Sequence, residues 1–271
     1  MDIGDYYSRS FDDLKENMTI VIPSFVGTVL MILIMLAAAL VIIFGFLGPQ
    51  FFINGMITPE PVPDMTLTAA VISLLVIIAA VVLSLVINSF IYAATIGMAG
   101  KILEGQKPDL EVAWEKGKKY FIKILAVSII MGLIAAVLIL PFILGLILFN
   151  VSEVLGLVVT VLGVVILTVS IILLALAFMV VNQSIVIGKK STTGSIKDSA
   201  NILMKNKLKV FLVAVINLAI ATGIGFILEL IPVVGSILNM LVQIILTPYF
   251  ILVITYLYMD VKEKLPGQIY Q

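Results

Sequence analysis

The stretch KILEGQKPDLEVAWEKGKKYFIK, residues 101–123, decides the fold of this chain. It carries six lysines and is adjoined on both sides by long apolar runs. Basic clusters recur at Arg9 and Lys15, at Lys189, Lys190, Lys197, Lys205, Lys207 and Lys209, and at Lys262 and Lys264. Together the four clusters hold all 16 basic residues. Between successive clusters the sequence runs out and back through apolar residues, and the intervening turns carry no basic residue. Cytoplasmic loops collect Lys and Arg because basic flanks resist translocation. The pattern predicts an all-α, multi-pass protein of the cell membrane, with six spans as three hairpins and both termini cytoplasmic.

Composition agrees. Apolar residues make up 62% of the 271 residues, charged residues 12%, and the mean hydropathy is +1.27. A soluble domain is nearer half apolar and a quarter charged. Net charge is zero, but it is unevenly spread. Glu60, Asp64, Glu153 and Glu229 fall in the expected outer turns, leaving sixteen bases against twelve acids inside. That excess suits a face lying against anionic headgroups. The acidic amino terminus and the length of the first apolar run fit a retained span, not a cleaved signal.

A bilayer core of ~30 Å needs about 20 helical residues. The apolar runs read as 18–47, 66–100, 121–149, 154–188, 210–231 and 233–259. Runs 66–100 and 154–188 are long and free of proline, so each is expected as one unbroken helix. Pro23, Pro141, Pro232 and Pro248 lie in the other spans or at their ends.

A short polar segment with helical periodicity precedes the first, third and fifth spans. Tyr7, Phe11, Leu14 and Met18 share one spacing with Leu110, Trp114, Gly117 and Phe121, and with Ile196, Ala200, Leu203 and Lys207. Each segment is expected to lie in the inner interface as an amphipathic helix. Two end alike, Leu14-Lys15-Glu16-Asn17 and Leu203-Met204-Lys205-Asn206. The chain therefore reads as a single membrane domain, 1–271, built from internal repeats 4–105, 108–190 and 194–262. The outer turns differ. Residues 48–64 hold four prolines and suggest an extended loop, residues 150–153 a tight turn, and Glu229–Gly235 an apolar turn that could sit within the membrane.

Chemistry is sparsely signalled. The chain has no Cys and no His, which excludes thiolate and imidazole metal sites and the usual nucleophile–base pairs. It shows no phosphate loop and no paired acids within a span. No enzyme activity, metal or cofactor is expected, and the alternation of lysines with acids argues against nucleic-acid binding. Two residue sets stand out. Trp114 with Lys116, Lys118, Lys119, Lys123, Lys205, Lys207 and Lys209 are candidates for lipid headgroups. Asn88, Asn182, Gln183, Asn217, Asn239, Gln243 and Glu229 are candidates for a polar intramembrane site or for bonds between helices.

The layout of polar helix, long span and return, with the Ile231-Pro232-Val233-Val234-Gly235 turn in the last unit, resembles a group of uncharacterised six-span prokaryotic membrane proteins. It also resembles the membrane domain fused to some bacterial glycerophosphodiester phosphodiesterases. The resemblance implies an anchor or helper module, and it carries no catalytic residue across.

The expected function is non-enzymatic: organisation of membrane lipid, anionic lipid included, or of a partner through a basic cytoplasmic collar. The alternative is a transporter or channel for a small solute or ion. A second copy of the chain or another membrane protein fits as a partner.

Overall fold

The computed structural model describes residues 1–47, 67–231 and 234–263, and these contain helices and turns with no strand. The expected 48–64 loop and residues Pro232 and Val233 of the last turn lie outside the described residues, as does Lys264. The helices are α1 (Ile3–Glu16), α2 (Val21–Leu47, preceded by a 3-10 turn at Met18–Ile20), α3 (Leu67–Leu103), α4 (Leu110–Leu138) and α5 (Leu140–Leu148). They continue with α6 (Glu153–Phe178), α7 (Val181–Val186), α8 (Thr192–Lys205), α9 (Lys207–Glu229) and α10 (Gly235–Glu263). Among the described residues six helical stretches are long and apolar enough to cross a membrane: Met18–Phe44, Ala70–Leu103, Leu110–Leu148, Glu153–Val186, Lys207–Glu229 and Gly235–Lys262. They are compatible with a multi-pass membrane protein.

Local chemistry sets the polar helix ends. Asp2 accepts from the Ile3 amide while Asp5 accepts from the Asp2 amide, closing a capping box at α1. Asp109 caps α4 through the Val112 amide at 2.7 Å, and Ser191 caps α8 through the Gly194 amide. Such a cap contributes about 1 kcal/mol. Asn17 ends α1 and Asn206 ends α8 in the same way. Each sits near φ −130° and donates its side-chain amide to the carbonyl four residues back, Asp13 and Ile202 respectively.

Two expectations are corrected. The polar segment before the third span is not a separate helix. It forms the first turns of α4, which runs without a break from Leu110 to Leu138, because no capping Asn interrupts Lys119-Tyr120-Phe121. The run 154–188 is not one helix either: it breaks at Met179–Val180, between α6 and α7, with neither Pro nor Gly at the break. The third span has a similar break at Ile139, where Pro141 falls in the first turn of α5. Only α3 fulfils the expectation of a long unbroken helix, with 37 residues or about 55 Å at 1.5 Å per residue.

The chain divides into two compact units, Phe25–Asn88 and the remainder. In the smaller unit, α2 and α3 flank a groove of 380 Å³ lined by Met35, Ala39, Ile77 and Ala80, with Ser84 and Asn88 also on its wall. In the larger unit the buried core gathers at the basic ends of the helices. One cluster joins Leu14 and Ile20 to Ala93, Ala94 and Met98 of α3, Tyr120 and Ile124 of α4, Ile185 of α7 and Leu252 of α10. A second joins Tyr6, Ile202, Val210, Leu257 and Tyr258. Lipid tails are as apolar as leucine, so burying leucines gains little between spans and close packing of small residues matters more. α5 and α6 illustrate this. A Cβ on Gly145 would meet the Thr160 backbone at 2.5 Å, one on Gly156 the Phe149 backbone at 2.6 Å, and one on Gly163 the Phe142 backbone at 2.7 Å. These three pairs keep one antiparallel register, and each glycine allows the opposing backbone to come into contact.

Candidate functional site

The densest polar network lies where the carboxyl-terminal half of α10 meets α1, α8 and α9. Asp260 is buried, and three groups converge on it. The Tyr6 hydroxyl donates at 2.7 Å, the Lys209 ammonium at 2.8 Å, and the Met1 ammonium at 2.8 Å. Lys209 also donates to the Tyr6 oxygen and the Met1 carbonyl. A buried ion pair holds only when its remaining lone pairs and protons are also satisfied, and here they are. Burial, and then the Asp260 carboxylate, push the Tyr6 hydroxyl above its ordinary pKa.

A second acid, Asp198 of α8, takes the Ser184 hydroxyl at 2.7 Å and an ion pair from Lys190 at 2.5 Å, with the Tyr258 hydroxyl at 3.5 Å. The chain reaches this position through a tight corner. Lys189 adopts φ 53°, and Gly188 packs so closely on the Tyr258 hydroxyl that a Cβ would collide with it. A third acid, Asp13 of α1, accepts from Tyr256. Tyr7 donates to the Asn217 side-chain oxygen at 2.9 Å, and Tyr249 donates to the Tyr7 carbonyl. Burial raises the Tyr7 hydroxyl.

The expected headgroup residues fall into two groups. Lys209 is committed to Asp260, and the stem of Lys116 covers Gly97 while its ammonium pairs with Glu115 at 3.5 Å. Lys123 donates to the Lys190 carbonyl. Lys118, Lys119, Lys205 and Lys207 remain exposed. Several ammonium groups sit over aromatic rings: Lys118 over Trp114 at 5.6 Å, Lys119 and Lys123 over Tyr120, and Lys15 over Phe11. The faces turned away from the core at these helix ends carry large apolar residues. Phe11 and Met18 are each 54% exposed, Trp114 61% and Leu208 70%. The buried faces of the same helices mix small or hydroxylated residues, Ser10, Ala113, Gly117, Ser195 and Ser199, with the larger Tyr6, Leu14, Tyr120 and Ile202.

The intramembrane amides are scattered. Gln243 donates to Asn239 within α10, and Asn217 is held by Tyr7. Asn88 is exposed and lines the groove of the smaller unit. Glu229 is the exposed last residue of α9. Asn182 and Gln183 lie together on α7, just after the helix break. Gln183 is buried, and the side-chain oxygens of both have no hydrogen-bond partner among the described residues.

A sequence profile described as a domain of unknown function, DUF7847, matches residues 81–259, about two-thirds of the chain. The chain belongs to the DUF7847 family. The DUF7847 match takes in α4 to α9, the Trp114 region and Asp198; α1 lies before it and Asp260 just after it. The α1 contacts to Asp260 and Tyr256 thus join a helix outside the DUF7847 match to the end of its last span. Nothing in the match connects DUF7847 to glycerophosphodiester phosphodiesterases. No curated protein and no solved structure matches the chain.

Sequence reasoning missed the three-acid network. Its only signal was compositional: Tyr249, Tyr256 and Tyr258 fall within ten residues of one another beside Asp260. Their partners lie far away in sequence, so no local pattern pairs them.

Proposed function

We propose that this chain is a non-enzymatic polytopic membrane protein whose basic helix ends form a cytoplasmic collar that binds and organises lipid. One observation carries the reading: exposed aromatic and apolar residues sit beside exposed lysines at the same helix ends. Phe11, Met18, Leu110, Trp114, Met204 and Leu208 turn away from the protein on elements otherwise rich in charge. A water-facing surface would leave that apolar area exposed, whereas the headgroup layer accepts both the rings and the ammonium groups. In this reading α1 and α8 lie in the interface, each introducing a helical hairpin, and the matching Asn17 and Asn206 caps are relics of an internal repeat. The likeness in layout to membrane domains fused to phosphodiesterases fits an anchoring role.

The lone tryptophan tests the collar directly. In bilayers Trp114 emission should be blue-shifted and quenched by lipids brominated near the headgroup. A water-like spectrum without quenching would remove the reading. Changing Lys118, Lys119, Lys205 and Lys207 to Gln should weaken binding to anionic vesicles by about 1 kcal/mol per residue, while Lys209, held in the core network, is left in place.

A second reading, transport of a small solute, draws support from α7. Transporters place binding sites at interrupted spans, and the interruption at Met179–Val180 adjoins the unpartnered Asn182 and Gln183 oxygens. Solute flux in reconstituted vesicles that Gln183→Leu abolishes would favour this reading over the first.

A further inference from the structure

The start of α4 holds a recess of 450 Å³ lined by Glu111, Trp114, Glu115, Lys118 and Lys119. These residues share one helix face, at spacings of three, four, seven and eight. Their order along the axis is telling. The two acids occupy the end farther from the apolar run, and the two lysines occupy the end that leads into it through Tyr120 and Ile122. At 1.5 Å per residue, Glu115 lies about 4.5–6 Å along the axis from the two lysines.

A phospholipid headgroup that carries an ammonium has the same polarity. Its phosphate lies next to the glycerol and the acyl chains, and the ammonium lies two carbons farther out. With α4 entering the membrane at Tyr120, Lys118 and Lys119 reach the phosphate level, and Glu111 and Glu115 meet the ammonium. Trp114 stands between them, and the Lys118 ammonium already lies over its ring at 5.6 Å, which keeps that charge beside the recess. The ring is held in place: Phe90 packs against it edge-on at 5.4 Å, and Phe90 itself fills the space left by the missing side chain of Gly117. Anionic headgroups would have to approach two carboxylates, a like-charge encounter that disfavours them at this position.

We propose that the Glu111–Lys119 recess is a binding site for a zwitterionic phospholipid headgroup, one pairing a phosphate with an ammonium. This rests on the collar reading and sharpens it. The collar as a whole attracts the leaflet, and this recess selects within it.

Native mass spectrometry of the full chain, released from vesicles containing equal phosphatidylethanolamine and phosphatidylglycerol, tests the selection. The expected result is retention of phosphatidylethanolamine about two- to fivefold above phosphatidylglycerol, the scale of an exposed ion pair. Glu111→Gln with Glu115→Gln should abolish that preference and leave phosphatidylglycerol retention equal or higher. Lys118→Gln with Lys119→Gln should lower retention of both. Equal retention by the parent chain, or a preference that the two Glu substitutions leave unchanged, overturns the proposal while leaving the collar intact. If neither lipid is retained and Trp114 is unquenched, the collar reading falls with it.

Discussion

Tyr256 of α10 donates its hydroxyl to Asp13 of α1 at 2.5 Å, across 243 residues of sequence. Burial raises the Asp13 carboxyl above its ordinary pKa, with Glu16 and Asp12 adding to the effect; the Tyr256 hydrogen bond and Arg9 oppose it. A raised carboxyl favours the protonated form in the folded state. Its stabilising contribution is therefore complete below the ordinary value of about 3.9 and is lost as pH rises through the raised value. Hydrogen-exchange protection of α1 should fall over that interval in the parent chain. Asp13→Asn, which cannot ionise, should flatten the dependence; an unchanged slope would show that another group governs it.

The glycines of α5 and α6 make a contrast with Gly132 of α4. Gly163→Ala puts a methyl group 2.7 Å from the Phe142 backbone, which cannot move as a side-chain tip can. Overpacking of this kind costs about 1–3 kcal/mol, and thermal unfolding in detergent should shift down accordingly. Nothing lies within 4 Å of a Cβ on Gly132. Gly132→Ala should be neutral or stabilise by up to about 1 kcal/mol through helix propensity. Equal effects at the two positions would contradict the packing described.

Asp260 and its partners lend themselves to a double-mutant cycle. Tyr6→Phe removes one hydrogen bond to a charged acceptor and should cost about 1.5–3 kcal/mol. Combined with Asp260→Ala, the two losses should be strongly non-additive, because each removes the Tyr6–Asp260 hydrogen bond. Additive losses would mean that Tyr6 and Asp260 act independently.

Because the chain has no cysteine, membrane orientation can be read from single substitutions. Val151→Cys, at the exposed turn between α5 and α6, should react with an impermeant thiol reagent on intact cells. Thr193→Cys, at the exposed start of α8, should react only after permeabilisation. The reverse pattern would invert the expected topology.

The six apolar helices were legible in the sequence because lysine placement and run length are one-dimensional signals. The α1 and α8 ends were legible for a similar reason: Asn17 and Asn206 each lie within two residues after a Lys and terminate a helix locally. The break at Met179–Val180 was not. Its residues are ordinary helix or span formers, so only tertiary context can account for it. Which lysines remain exposed was also hidden, since Lys209 and Lys207 differ by two residues yet one is held by Asp260 and the other is solvated. The Trp114 face could be drawn from periodicity, but its positioning by Phe90 through Gly117 required the packing of α3 on α4.

The pairing of α1 with α10 sets an order of assembly. Ribosomes add about 5–20 residues per second, so Tyr6 and Asp13 emerge roughly 12–50 s before Asp260 and Tyr256 exist to receive them. During that interval α1 lacks its docking surface on α10, and Tyr6 and Asp13 have no partner there. A chain truncated before Thr247 should accordingly lose amide hydrogen-exchange protection in α1 that the full chain keeps; equal protection in both would show that α10 does not hold α1. Helix α1 is thus a latch that only α10, made more than 200 residues later, can close.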